Sequence, residues 1–236
     1  MKSILLGTAA LALTAGVALA DTVRLGTEGA YPPYNFINDK GEVDGFEREL
    51  GDELCKRASL NCEWVTNDWD SIIPNLTSGN YDAIIAGMSI TAEREEVVDF
   101  TQGYTPPSPS AYAAMSADVD LAGGIIAAQT ATIQANHVVD TGATLVEYPT
   151  PDETIAAVVS GEADAVLADK DFLEPQVEGS DLMFVGDDVP LGGGIGMAFR
   201  ESDDELRGKF DAAITSMKED GSLNALITKW EVGGTW

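Results

Sequence analysis

Two residues of this 236-residue chain have the charge and placement to grip a small zwitterion. Arg94 closes the run Ala86-Gly87-Met88-Ser89-Ile90-Thr91-Ala92-Glu93-Arg94, and Asp169 follows Ala168 at the end of a second apolar run. A guanidinium is planar, permanently charged and forked, so it matches a carboxylate bidentately. A carboxylate accepts hydrogen bonds from an ammonium group. Brought together, Arg94 and Asp169 would hold the constant part of an α-amino acid. Apart, each is an ordinary surface ion-pair partner, and exposed pairs are common and weak. Other chemistries lack their parts. His137 is the sole histidine, there is no C-x-x-C, and no Ser–His or Cys–His arrangement is evident. Gly192-Gly193-Gly194-Ile195-Gly196 lacks the G-x-G-x-x-G spacing of a nucleotide loop and reads as an ordinary connection. No metal site and no organic cofactor are indicated.

The elements that must position these residues alternate between strand and helix. Val23 to Thr27 reads as a strand. Gly45 to Ser59 reads as a helix with Phe46, Leu50 and Leu54 on one face. Cys62 to Thr66 returns as a strand, Trp69 to Thr77 as a helix and Tyr81 to Ala86 as a strand. Such alternation predicts an α/β fold whose sheets are mainly parallel and flanked by helices. Residues 70–86 are then echoed by residues 152–168. Each is a helix ended by Ser-Gly, then a polar turn, then a strand opening Asp-Ala. The glycine suits a left-handed helix stop, and Thr150-Pro151-Asp152-Glu153 forms a capping box with proline at the first helical position. Between the copies, Pro106, Pro107 and Pro109 impose an extended connection. Ser202-Asp203-Asp204-Glu205 is expected to cap a helix carrying Leu206, Phe210, Ile214 and Met217, and a last helix carries Leu223, Leu226, Ile227 and Trp230. The economical topology is two lobes with a two-strand hinge: residues 21–106 plus 197–236 form lobe 1, and 107–196 form lobe 2. Ligands of open α/β sheets lie beyond the carboxyl ends of the strands, so the two strand ends converge on one cleft.

Residues 1–20 read as a secretory leader: Lys2, an apolar run from Ile4, and Ala18-Leu19-Ala20 before Asp21. Cleavage after Ala20 is expected, and the absence of a cysteine there argues against a lipid anchor. The run is short for a spanning helix. A periplasmic location follows, and in that oxidising compartment Cys55 and Cys62 read as a disulfide closing a short loop. The formal charge is −27, from 13 basic and 40 acidic residues. This excludes nucleic acid and anionic membranes as partners, because both select basic patches. Such acidity attracts cationic ligands at a distance, although a generally acidic proteome from a saline habitat would produce the same balance.

The residues next carry a family resemblance. Leu25-Gly26-Thr27-Glu28-Gly29-Ala30-Tyr31-Pro32-Pro33-Tyr34-Asn35-Phe36, Val43-Asp44-Gly45-Phe46-Glu47, Asn67-Asp68-Trp69-Asp70 and Ala86-Gly87-Met88-Ser89-Ile90-Thr91 resemble the polar amino-acid-binding proteins of ABC importers. That family includes histidine, lysine–arginine–ornithine, arginine and opine receptors. The likeness implies the type II periplasmic-binding-protein fold, which closes on its ligand by hinge motion and docks on membrane permease subunits. It implies that Arg94 clamps the ligand carboxylate and that Asp169 holds the α-ammonium. Ser89 and the Gly87 carbonyl, with Met88 between them, would line lobe 1. Thr132 would offer a backbone N–H at a helix N-terminus. Tyr31 and Trp69 would sandwich the side chain, and Glu28 would meet its distal cation, a pairing suited to guanidinium or ammonium. The spacing of Cys55 and Cys62 matches a disulfide of several basic amino-acid receptors. Ala86 departs from the serine that many relatives carry, and Glu28 resembles the arginine and opine receptors more than those with aspartate. A monomer is the default for a hinge-bending receptor. Two rivals stay open at this point: a dehydratase of the cyclohexadienyl type on the same scaffold, with Glu28 as acid or base, and a compatible-solute receptor for a ligand such as ectoine.

Overall fold

The computed structural model describes residues 22–236; the leader and its cleavage point lie outside the described residues. The chain builds two five-stranded sheets, each flanked by helices. Lobe 1 opens with β1 (Val23–Thr27), then a small antiparallel sheet of β2 (Ala30–Tyr31), β3 (Asn35–Ile37) and β4 (Val43–Asp44). Helix α1 (Phe46–Arg57) buries Phe46, Leu50 and Leu54 against the sheet, as the fourfold spacing predicts. β5 (Cys62–Thr66), α2 (Ile72–Thr77), β6 (Ala83–Ile84) and β7 (Asp99–Phe100) follow. The chain then crosses to β8 (Ser110–Ala114), β9 (Ile125–Gln129), α3 (Ile133–Thr141), β10 (Thr144–Tyr148), α4 (Pro151–Ser160), β11 (Ala165–Asp169), α5 (Lys170–Glu178) and β12 (Met183–Val189). It returns through β13 (Ala198–Phe199), α6 (Asp204–Glu219) and α7 (Ser222–Trp230). Strand order is β5-β1-β6-β13-β7 in one sheet and β10-β9-β11-β8-β12 in the other. In each, three neighbouring strands run parallel, the fourth (β13 or β8) runs antiparallel to them, and the edge strand (β7 or β12) pairs antiparallel with that fourth.

The two crossings lie side by side and make the hinge. Ile195 bridges Thr105 and Ser89, and the Tyr104 N–H donates to the Ile195 carbonyl at 2.8 Å. Cys55 and Cys62 are joined, pinning the end of α1 to the start of β5.

Three local expectations need correction. The helix expected over Trp69–Thr77 is split into a 3-10 turn, Trp69–Ser71, and α2. Pro74 has no N–H to give the Asp70 carbonyl, so the α-helical ladder restarts with Pro74 in its first turn. The strand expected over Tyr81–Ala86 is regular only at Ala83–Ile84, although flanking N–H groups of Asp82 and Ile85 still reach the carbonyls of Arg24 and Gly26. The Ser202–Glu205 segment places Asp203 at the N-cap of α6 but gives the helix no side-chain cap. The Asp203 carboxylate instead pairs with Arg200 at 2.6 Å, and a charged partner outcompetes a backbone amide.

Candidate ligand-binding site

A cavity lies between the lobes, against the hinge. Both sheets aim their carboxyl ends at it, as the topology of open α/β sheets requires. Lobe 1 contributes Glu28 from the turn between β1 and β2, Tyr31 from β2, Trp69 from the 3-10 turn, and Gly87, Ser89 and Arg94 from the segment after β6. Lobe 2 contributes Thr132 and Asp169. Eight of the nine residues marked out by the sequence therefore line one cavity. Met88 does not. Its side chain is fully buried in the lobe-1 core with Trp69, Ile72 and Leu76.

Irregular backbone shapes the lobe-1 wall. Gly87 adopts φ +62°, a left-handed turn that suits glycine, and its N–H donates to Glu47 Oε1 at 2.6 Å. Glu47 is fully buried and also receives the Tyr104 hydroxyl and, at 2.7 Å, Asn35 Nδ2. Burial pushes its carboxyl up, and those three donors pull it back. Arg94 is held by one bond from a guanidinium nitrogen to the Ser89 carbonyl at 2.9 Å, and its carbon sits 5.3 Å from the Trp69 ring centroid. Burial lowers the Arg94 pKa to about 10, an effect the nearby charges of Asp169 and Glu93 oppose. Among the described residues Arg94 has no salt-bridge partner, so its fork remains available to an anion.

Regular elements shape the lobe-2 wall. Asp169 is the last residue of β11 and the N-cap of α5. Its Oδ2 accepts from the Tyr31 hydroxyl across the cleft at 2.9 Å, and its Oδ1 accepts from Gln134 Nε2 at 2.7 Å. Burial raises Asp169 to about 6, with the charge of Asp171 adding to the rise. Thr132 caps α3: its hydroxyl accepts from Ala135 N at 3.1 Å and donates to the Gln129 carbonyl at 2.7 Å. With its hydroxyl engaged in the cap, the helix N-terminus offers backbone N–H groups to an anion.

At the far end, Glu28 Oε1 accepts from Gln129 Nε2 at 2.6 Å. Burial raises Glu28 to about 7 despite that bond. Tyr31 stacks on Phe172 at 4.5 Å and 9°, so one ring face is already covered and only the other is open to a ligand. Trp69 Nε1 donates across the cleft to the Ala131 carbonyl at 3.3 Å. Gln129 and Gln134 line the cavity and were not singled out by sequence reasoning. Gln129 ends β9, where the strand-end rule points; Gln134 lies in the first turn of α3 and carries no comparable signal.

The arrangement is a chamber between the lobes with an anion-seeking fork at one wall and two carboxylates whose ionisation desolvation opposes at the others. It suits a molecule with one carboxylate and cationic groups at both ends.

Known proteins share this architecture. The family model described as bacterial extracellular solute-binding proteins, family 3, matches residues 23–233. An L-arginine-binding protein of Pseudomonas aeruginosa is 35% identical, over 97% of this chain and 96% of its own. A lysine/arginine/ornithine-binding periplasmic protein of Escherichia coli is 32% identical, over 90% and 88% respectively. Among solved structures, a periplasmic His/Glu/Gln/Arg/opine family-binding protein from Silicibacter pomeroyi in complex with lysine is 73% identical. It superposes with a TM-score of 0.89 over 91% of this chain and 100% of that one. With nearly the whole described chain matched, and the type II fold shared, this protein belongs to the bacterial extracellular solute-binding proteins, family 3.

Proposed function

We propose that the protein captures a cationic α-amino acid (arginine, lysine, ornithine, histidine or a related opine) in this chamber and delivers it to the permease subunits of an ABC importer. One observation carries this reading. A half-buried guanidinium without a salt-bridge partner among the described residues shares the chamber with two half-buried carboxylates whose ionisation desolvation opposes. A ligand carboxylate would complete Arg94, with help from the N-terminus of α3. Its α-ammonium would complete Asp169, aided by Ser89 and the Gly87 carbonyl. Its distal cation would complete Glu28, between Trp69 and the open face of Tyr31. Each contact neutralises a charge that is costly to leave alone in a dry site.

The relatives support the ligand class, since their names specify arginine, lysine and ornithine. They are binding proteins and not enzymes, which disfavours the dehydratase alternative; Glu28, an ionic partner for a side-chain cation, disfavours the ectoine alternative. In this account residues 21–106 and 197–236 form one rigid lobe, residues 107–196 form the other, and the leader is removed after Ala20 to leave the protein in the periplasm. Ligand binds one lobe first, and hinge closure completes its shell and excludes water.

A thermal-shift screen against amino acids, opines and ectoine tests the reading. A ligand that binds only the folded state adds about 2.7 kcal/mol of stability at a hundredfold excess over its dissociation constant. Arginine, lysine, ornithine or an opine is expected to shift the transition, and Arg94→Ala to abolish the shift. A response confined to ectoine or to a prephenate-like acid would overturn the assignment.

A further inference from the structure

We infer that Tyr34 and Asp171 form a latch between the lobes that sets how tightly the closed form holds its occupant without touching it. The inference rests on the binding function proposed above.

Tyr34 belongs to lobe 1. Its ring is buried edge-on against Phe46, with centroids 6.0 Å apart and planes at 88°. Its hydroxyl leaves that core and donates across the lobe boundary to Asp171 Oδ2 at 2.9 Å. Asp171 lies in the first turn of α5, in lobe 2, and its other oxygen accepts from Ser108 Oγ of the hinge at 3.2 Å. The acceptor is thus fixed from the hinge side while the donor is fixed in the opposite core. Tyr34 is 1% exposed and Asp171 8%. Neither lines the cavity.

Two of the other bonds between the lobes differ in kind. Tyr31–Asp169 and Gln129–Glu28 occupy carboxylates that a cationic ligand also needs, so the ligand must share or displace them. Tyr34–Asp171 competes with nothing in the chamber. It exists only when the lobes meet, and it therefore stabilises closure whatever the occupant. A bias of that kind multiplies every affinity by a single factor and leaves selectivity untouched. Residues that act inside the chamber change selectivity; the latch changes holding time.

The test is a double-variant cycle of Tyr34→Phe, Asp171→Ala and their combination, titrated calorimetrically with L-arginine and with L-lysine, with dissociation followed by stopped flow. Tyr34→Phe is expected to weaken both ligands by the same factor, about tenfold, the ratio that ~1.4 kcal/mol represents. Asp171→Ala also removes the Ser108 bond and a charge beside Asp169, so it serves as the background in which the Tyr34→Phe loss should vanish. The loss should fall mainly on the dissociation rate. The double variant should be no more than about twofold weaker than the poorer single variant, because both substitutions remove one bond. A change below twofold in Tyr34→Phe, or factors for the two ligands differing by more than about threefold, overturns the latch. Should the unsubstituted protein bind neither amino acid, it is the ligand class that fails. The same cycle is then read with whichever screened compound binds, since the latch predicts one factor for all.

Discussion

Residues 70–86 and 152–168 are two renderings of one helix-turn-strand unit, and they serve the chamber in opposite ways. The second is regular. Its helix opens with a complete capping box at Thr150 and Glu153 and stops at Gly161, φ +79°; β11 then runs five residues between β9 and β8. That rigid strand delivers a side chain, Asp169, at its end. The first copy is broken. A 3-10 turn precedes a six-residue helix whose N-cap, Ser71, makes no side-chain cap bond, and β6 is regular for two residues only. Leaving the sheet early frees the backbone at Gly87, while the 3-10 turn presents Trp69 to the cavity. One unit thus supplies a fixed charge and the other supplies shape, and regularity is lost where main-chain groups are wanted for binding.

The division can be broken at its charged end. Asp169→Asn leaves β11 intact and removes the charge that faces the ligand ammonium. It should weaken arginine binding about a hundredfold by calorimetry, within the range for truncating a buried hydrogen-bonded charge. Ser89→Ala, on the copy whose contribution is mainly backbone, should cost tenfold or less. Equal losses would erase the distinction.

Acid sharpens the same contrast. In an open, wet cleft Glu28 and Asp169 would titrate near 4, whereas desolvation in the chamber raises them to about 7 and about 6. Closure with no cation facing these groups is therefore most favourable below about pH 4 and loses stability as pH rises from there through about 6 to 7. A bound cation reverses the sign. It holds both groups ionised, so its affinity is full above about pH 7 and falls as protons compete below it. Calorimetric titrations with arginine from pH 8 to pH 5 should show a loss of about tenfold or more, with proton release on binding near pH 6 to 7. A flat profile would contradict the burial of both carboxylates.

The smallest expected effect concerns stability alone. Thr150→Ala removes a working cap and should cost about 1 kcal/mol in chemical denaturation. Ser71→Ala, at the corresponding helix start of the broken copy, should cost less than half of that, because its hydroxyl bonds only within the local turn.

Much of this was legible in the chain. The echo of Ser-Gly and Asp-Ala locates both strand ends, and the strand-end rule then joins Arg94 to Asp169 across 75 residues of sequence. The cap at Thr150 was readable because its bonds are local. What escaped was decided by tertiary competition. Asp203 has the residue type of a cap, but Arg200 claims it. Adjacency groups Met88 with Gly87 and Ser89, yet the left-handed turn at Gly87 redirects the chain and the Met88 side chain packs in the lobe-1 core. Gln134 reaches Asp169 from another element, and Tyr34 reaches Asp171 from the other lobe. Contacts set by how lobes meet leave no local pattern to read.

The central claim is that the chamber reads a carboxylate with Arg94 and a distal cation with Glu28. It is tested most directly by titrating arginine, agmatine and citrulline into one preparation of the protein. Agmatine is arginine without its carboxylate, and citrulline has an uncharged urea in place of the guanidinium. The account predicts that arginine binds and that each analogue is weaker by about a hundredfold, the scale of a lost buried charge contact. Agmatine binding as tightly as arginine would remove Arg94 from the site, and citrulline doing so would remove Glu28.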